Sequence, residues 1–222
     1  MASCAPARTA TVGRPRSGRP LTVLLTGFGP FPGAPFNPTG ALVRKLLALR
    51  RPALAHVRLV GHIFSTSYTA VDRELPQLIA RHRPDAILMF GLATRTKHLR
   101  VETQARNAVS TLLPDVEGRL RGRTIAAGAP AALAFGPHCG RLLAALRRTL
   151  DAAALSRDAG RYLCNYLCWR ALEAAAKPDG PLVAFVHVPL IRPGMTGRIS
   201  PDDLARAGGA LLLAMVSEAR RR

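Results

Sequence analysis

The chain has 222 residues, of which 48% are hydrophobic and 5% aromatic, so its length suits one α/β domain with a sizeable core. Its formal net charge is +19, but the arginines are scattered and no aromatic stripe accompanies them, which argues against a nucleic-acid-binding protein. No apolar run approaches the ~18 residues that a membrane-spanning helix needs, so we predict no membrane insertion.

The N-terminal segment is rich in Ala, Arg, Pro, Gly, Ser and Thr and poor in apolar side chains. We therefore predict that residues 1–20 form a flexible basic tail and that residues 21–222 form a single domain. The tail lacks the apolar segment of a secretory signal, although an arginine-rich start also resembles an organelle transit peptide. The four cysteines lack the spacing of a zinc site, and reduced thiols predict a cytoplasmic protein.

Strand and helix patterns alternate along the rest of the chain. Apolar or alternating runs predict strands at residues 21–26, 57–63, 85–90, 98–102, 154–157 and 182–188. Helical spacing predicts helices at residues 40–49, capped by Thr39, and at 66–81, 139–150, 161–176 and 202–220. Residues 113–137 fit neither pattern. This alternation predicts an α/β fold, a three-layer α/β/α sandwich with a mostly parallel central sheet. In such folds, sites gather where the parallel strands end.

Cys164 lies in the segment SRDAGRYLCNY, where a glycine-containing loop turns into a predicted helix. Unpaired N–H groups at a helix start favour the thiolate, which is the nucleophilic form of cysteine. Cysteine is also among the most buried residue types, so simple packing is the alternative interpretation. That alternative suits Cys168, one helical turn further on, better than Cys164.

His187 and Glu102 are candidates for the groups that would assist such a nucleophile. His187 ends the apolar segment AFVHVP and is predicted to emerge at the edge of the sheet, where a general base would lie. Glu102 ends the alternating strand, and a carboxylate can orient a histidine and stabilise its cation. Taken alone, such a histidine is more often a core residue, and such a glutamate is usually an ordinary surface acid.

Phe28 and Phe31 lie in the loop GFGPFPG after the first strand, where polar turn residues are expected. They either cap the core or line an apolar ligand pocket. The loop contains neither a P-loop lysine nor a GxGxxG pattern, so it does not predict phosphate binding.

Four segments together resemble the pyroglutamyl peptidase I family of cysteine peptidases. The family's opening strand and loop resemble LLTGFGPFPGAPFNPT, its nucleophile segment SRDAGRYLCNY, its histidine segment AFVHVP and, more loosely, its glutamate segment MFGLATRTKHLRVETQARN. The resemblance implies an α/β/α enzyme that removes N-terminal pyroglutamate from peptides without a metal ion or cofactor. It implies Cys164 as nucleophile, His187 as its base and Glu102 as the orienting carboxylate. It also implies that Phe28 and Phe31 hold the lactam ring of the substrate.

The chain departs from the family pattern at two places. Leu92 replaces a glutamine that many bacterial members have, and residues 110–113 lack an arginine found near the oxyanion, for which Arg106 is a candidate substitute. A cysteine amidase with a different N-terminal specificity is therefore the alternative function, and a non-catalytic homologue is a second. The predicted partner is a peptide or small amide with an N-terminal pyroglutamate, and the sequence leaves a homo-oligomer open.

Overall fold

Strands and helices alternate along the chain in the computed structural model, which describes residues 19–31, 34–191 and 199–222. Most of the predicted tail lies outside these ranges. The strands are β1 (Leu21–Phe28), β2 (Val57–Phe64), β3 (Ala86–Ala93), β4 (Leu99–Glu102), β5 (Gln104–Arg106), β6 (Ala132–Ala134), β7 (Ala153–Ser156) and β8 (Leu182–Pro189). The helices are α1 (Pro38–Leu47), α2 (Tyr68–His82), α3 (His138–Arg147), α4 (Leu163–Ala175) and α5 (Pro201–Arg220), with a 3₁₀ turn at Pro52–Leu54.

Six of the strands form one sheet in the order β2-β1-β3-β8-β4-β7. The first four of these run parallel, whereas β4 lies antiparallel to β8 and parallel to β7. Helices α1, α3 and α5 pack together as one layer, and α2 and α4 form the other. The predicted α/β/α sandwich with a mostly parallel sheet is therefore confirmed.

The central strands are apolar on both faces because helices cover both sides of the sheet. The first six residues of β3 (AILMFG) are all buried, and so are the last seven of β8. Edge strand β2 is mostly half-buried, and its exposed residues are Arg58 and Gly61. None of the helices in the described ranges has the length and apolar character needed to span a bilayer.

Two local predictions differ from the structure. Asn37 caps α1 by accepting a hydrogen bond from the Thr39 N–H over 3.1 Å, so Thr39 is not the cap. A pair of three-residue strands, β5 and β6, was not predicted from the sequence. Strands this short carry too few residues for an alternation pattern to stand out.

Thr39 instead ties the start of α1 to the end of β1. Its buried hydroxyl accepts the Phe28 N–H over 3.0 Å and lies 3.1 Å from the Phe28 carbonyl oxygen. The hydroxyl also lies 2.8 Å from Oδ1 of Asn37. These contacts hold the loop after β1, which carries Phe31, against the helix.

Replacing Thr39 by valine keeps the side-chain shape but removes the hydroxyl and leaves the buried Phe28 N–H without its partner. We expect the free energy of unfolding to fall by about 1–3 kcal/mol, the cost of an unsatisfied buried donor. Urea denaturation of Thr39→Val beside Thr39→Ser, which keeps the hydroxyl, measures this cost. A valine variant as stable as the serine variant would contradict the assigned role of the hydroxyl.

Candidate active site

The antiparallel pairing of β4 and β8 brings a carboxylate to a histidine. Arg100 lies opposite His187, and Glu102 shares their face of the sheet because it lies two residues beyond Arg100. Both Glu102 and His187 are buried, and Nδ1 of His187 hydrogen-bonds Oε1 of Glu102 over 2.7 Å. An ionised carboxylate only accepts hydrogen bonds, so the proton lies on Nδ1. The other ring nitrogen, Nε2, therefore keeps its lone pair and can act as a base.

Cys164 is the second residue of α4, and its thiol lies against Gly91, near the carboxyl end of β3. Gly91 on β3 is the register partner of His187 on β8, and such partners project to the same face. A Cβ atom added to Gly91 would lie only 2.7 Å from Sγ of Cys164. The thiol therefore rests on the bare Gly91 backbone, on the face that carries His187.

Cys164 and His187 line one cavity of 330 Å³, together with Phe28, Phe31 and Leu92. A larger groove of 880 Å³ lies between α2 and α4, but none of these five residues lines it. The cavity at the end of β3 and β8 is therefore where the predicted site residues meet.

The two phenylalanines contribute to the cavity in different ways. Phe28 is only 2% exposed, and its ring centroid lies 6.1 Å from that of Phe64. Phe31 is half-buried and follows a short turn out of β1. Phe28 thus both caps the core and lines the cavity, so the two alternatives that the sequence offered both apply to this residue.

The Cys164 thiol lies in an environment that favours its neutral form. Its pKa is raised to about 12: burial is the largest cause, the negative charge of Glu102 also raises the pKa, and the positive charge of Arg100 lowers it. The expectation that the helix start would favour a thiolate is therefore wrong for the free protein, because burial outweighs the helix terminus. A base has to remove the thiol proton, and the free nitrogen of His187 is on the same face.

The other two described cysteines do not line the cavity. Cys168 is fully buried, as predicted, and burial raises its pKa well above the usual range. Cys139 is also buried, its pKa is raised to about 11 by burial, and its thiol donates to the backbone oxygen of Glu102 over 3.5 Å. Both thiols therefore pack within the core.

Comparison with known proteins identifies the family and the fold. A family model described as "Pyroglutamyl peptidase" matches residues 21–202. The chain belongs to the pyroglutamyl peptidase family. A pyrrolidone-carboxylate peptidase from Thermococcus onnurineus is 32% identical over 77% of this chain and 84% of its own length. A pyrrolidone-carboxylate peptidase from Bacillus amyloliquefaciens is 32% identical over 89% of this chain and 92% of its own length.

Solved structures agree with this membership. Pyroglutamyl peptidase I from Bacillus amyloliquefaciens has a TM-score of 0.78 at 26% identity, over 90% of this chain and 98% of that one. The predicted family and enzyme class, a cysteine-type omega peptidase that acts on N-terminal pyroglutamyl peptides, are thereby confirmed.

The two residues linked to the departures from the pyroglutamyl peptidase pattern, Leu92 and Arg106, differ in whether they line the cavity. Leu92 lines the cavity itself. Arg106 lies outside the set of cavity-lining residues, and its guanidinium pairs with Asp158 over 3.4 Å. Two arginines that do line the cavity are Arg95, which is exposed, and Arg100, which is half-buried. Arg100 lies two residues before Glu102 on β4 and therefore shares its strand face, but the sequence predicted no role for it.

Asn165 is a second residue that the sequence analysis missed. Its buried side chain accepts the Arg106 N–H over 2.8 Å and donates to the backbone oxygens of Arg106 and Ala108 over 2.8 and 2.9 Å. The amide thus fastens the first turn of α4 to β5 and fixes the neighbouring Cys164. The only signal in the sequence was an asparagine directly after the candidate nucleophile.

The segment that the sequence left unassigned supports the cavity wall from outside. The Tyr162 hydroxyl donates to the Pro114 carbonyl over 2.9 Å, and the Val116 N–H donates to the Thr66 carbonyl over 3.1 Å. Tyr162 and Thr66 both line the cavity. Irregular backbone whose hydrogen bonds are satisfied by distant residues leaves no periodic signal in the sequence.

We expect Gly91→Ala to displace the thiol, because the new methyl group would lie 2.7 Å from Sγ of Cys164 and 2.5 Å from the Phe185 ring. A nucleophile moved by about 1 Å can lose roughly 100-fold in rate, so kcat/KM should fall by about that factor. Gly140→Ala is the matched control, since a Cβ there meets nothing within 4 Å. If the two variants kept equal activity, the close approach of Gly91 to Cys164 would be refuted.

Proposed function

We propose that this chain hydrolyses the amide bond after an N-terminal pyroglutamyl residue, with Cys164 as nucleophile, His187 as base and Glu102 as the residue that orients the base. The observation that carries the proposal is the common cavity of Cys164 and His187, behind which Glu102 holds Nδ1 of the histidine. Nucleophile, base and orienting group in this order are the arrangement that acyl transfer needs.

In the first half-reaction, Nε2 of His187 takes the proton of the neutral Cys164 thiol as sulfur attacks the carbonyl carbon. The resulting tetrahedral intermediate collapses when His187 returns that proton to the leaving amine. The C–N bond breaks, the shortened peptide leaves, and a thioester joins the pyroglutamyl group to Cys164. Glu102 stabilises the imidazolium while it carries the proton.

In the second half-reaction, water replaces the amine. Nε2 of His187 takes a proton from the water as its oxygen attacks the thioester carbonyl. Collapse of the second intermediate breaks the C–S bond, releases pyroglutamate and returns the proton to sulfur. The proposed reaction uses no metal ion and no cofactor.

The first turn of α4 is the proposed oxyanion site. Its N-cap residue, Tyr162, provides no side-chain hydrogen bond to the first N–H groups of the helix. Unpaired N–H groups at a helix start attract negative charge, and Cys164 lies among them. Donors placed where charge develops in the transition state typically contribute about 10²–10³-fold in rate.

The proposed substrate group is the uncharged five-membered lactam of pyroglutamate. Phe28 and Phe31 supply an apolar wall, and Leu92 adds to it. A flat, neutral ring suits such a wall better than a charged amine does. A cysteine amidase with a different N-terminal specificity stays the alternative, because Leu92 cannot hydrogen-bond a lactam as glutamine would.

We further propose that residues 1–20 form a basic tail on a single domain of residues 21–222, and that the protein is cytoplasmic. Three cysteines, Cys139, Cys164 and Cys168, are free thiols, which suits a reducing compartment. The proposed partner is the peptide substrate, and we propose that the protein binds neither a membrane nor a nucleic acid.

Substitutions at the three proposed residues should differ in severity. Cys164→Ser should abolish turnover, and His187→Ala should lower kcat by about 10²–10⁴-fold, the usual contribution of a general base. Glu102→Gln should cost less, because an amide oxygen still accepts the Nδ1–H bond but carries no charge. Steady-state kinetics with a fluorogenic pyroglutamyl amide measures all three. Full activity of Cys164→Ser would remove the mechanism, and an unchanged Glu102→Gln would remove Glu102 from it.

Substrate choice is tested by kcat/KM for pyroglutamyl, prolyl and alanyl amides side by side. We expect the pyroglutamyl amide to be the best of the three, because a lactam can satisfy the polar groups of the site that proline leaves unpaired. Phe31→Ala should reduce this preference, and Phe31→Leu, which restores apolar contact, should regain part of it. A prolyl or alanyl amide that is cleaved fastest would favour the amidase alternative. Absence of all turnover would favour a non-catalytic homologue.

A further inference from the structure

Arg100 lies beside the proposed triad and lines the same cavity as Cys164. Its Nη2 atom lies 3.4 Å from Nδ1 of His187, and its Nε atom lies 3.6 Å from Oε1 of Glu102. The side chain is 24% exposed, whereas that of Glu102 is completely buried. A cation and the orienting carboxylate therefore lie next to each other on one face of the sheet.

The contact between Arg100 and His187 is not a hydrogen bond. Nδ1 of His187 already donates its proton to Glu102, and a guanidinium nitrogen can only donate. Two donors meet there because both are drawn to the same carboxylate oxygen. Nε of Arg100 and Oε2 of Glu102 are buried without any hydrogen-bond partner, so charge attraction holds this pair together.

The Arg100–Glu102 pair changes how easily the Cys164 sulfur can carry negative charge during attack. The Glu102 carboxylate alone would oppose any negative charge on the neighbouring sulfur, and Arg100 opposes that effect: its positive charge lowers the pKa of Cys164 while Glu102 raises it. Arg95 also lines the cavity, but it is exposed, and water and salt screen an exposed charge. Of these two arginines, Arg100 is therefore the one whose positive charge acts more strongly on the thiol.

We propose that Arg100 is a positioning residue of the peptidase, whose guanidinium offsets the charge of Glu102 and stabilises the negative charge that forms on Cys164. The inference rests on the proposed function, since Cys164 has to be the nucleophile. It explains how a carboxylate can orient His187 from a fully buried position without preventing the sulfur from becoming an anion.

Two alkylating reagents of nearly equal size test this charge. Iodoacetate carries a carboxylate and iodoacetamide does not, and each forms an S–C bond at the thiolate with loss of iodide. We expect the ratio of the iodoacetate rate constant to the iodoacetamide rate constant at Cys164, followed by peptide mass spectrometry, to fall about tenfold in Arg100→Gln. The thiol pKa affects both reagents equally, so the ratio reports about 1.4 kcal/mol of charge attraction. Arg100→Lys, which keeps the charge, should retain most of the wild-type ratio. Loss of kcat with little change in KM for the pyroglutamyl amide should follow the same order.

Arg81→Gln is the matched control, because it removes one exposed positive charge on α2, outside the cavity, and should leave the ratio unchanged. Equal ratios in wild type, Arg100→Gln and Arg100→Lys, all with native circular dichroism, would overturn the proposal. So would an equal fall in Arg81→Gln.

Arg100→Gln removes the positive charge next to the buried Glu102 carboxylate, and an uncompensated buried charge can by itself prevent folding. The Glu102→Gln protein compared with the Glu102→Gln, Arg100→Gln double variant removes that objection, because no carboxylate is left unpaired. The ratio should again be higher where Arg100 is present, and equality would refute the role. A wild-type enzyme that shows this charge preference but does not cleave pyroglutamyl amide would refute the substrate and still support Arg100.

Discussion

The hydrogen bond between Glu102 and His187 depends on one feature of the sheet, the antiparallel entry of β4 beside β8. That pairing sets Arg100 opposite His187 and brings the end of β4 alongside the middle of β8. Glu102, two residues beyond Arg100, shares the face of the sheet that carries His187. The carboxylate is therefore delivered from within the sheet rather than from a loop, and its position is as rigid as the sheet.

Burial both builds this site and limits it. The same close packing that holds Glu102 and His187 also raises the pKa of Cys164, so the proposed nucleophile is held as a neutral thiol. Gly91 allows the sulfur to approach the sheet closely enough to share a face with the base. In the proposed mechanism, reactivity therefore depends on proton transfer from the thiol to His187 during attack and on nearby charges, rather than on a thiolate formed in advance.

The sequence predicted most of the fold because long elements carry strong patterns. The apolar runs of β1, β3 and β8 and the five helices were recognisable within a few residues of their bounds. The direction of β4 was not predictable, since a four-residue strand reveals its alternation but not its neighbour. The cap of α1 was misassigned because Asn37 and Thr39 are both good capping residues. The fold decides between them, since the Thr39 hydroxyl bonds the Phe28 N–H and Asn37 is left to cap the helix.

The central claim is that the pyroglutamyl group passes through a thioester on Cys164. Acid quenching of the enzyme early in turnover of a pyroglutamyl amide, followed by peptide mass spectrometry, tests this directly. The account predicts a pyroglutamyl adduct on the peptide that contains Cys164, which disappears as substrate is exhausted and is absent from His187→Ala. Turnover without such an adduct, or an adduct on another cysteine, would contradict it.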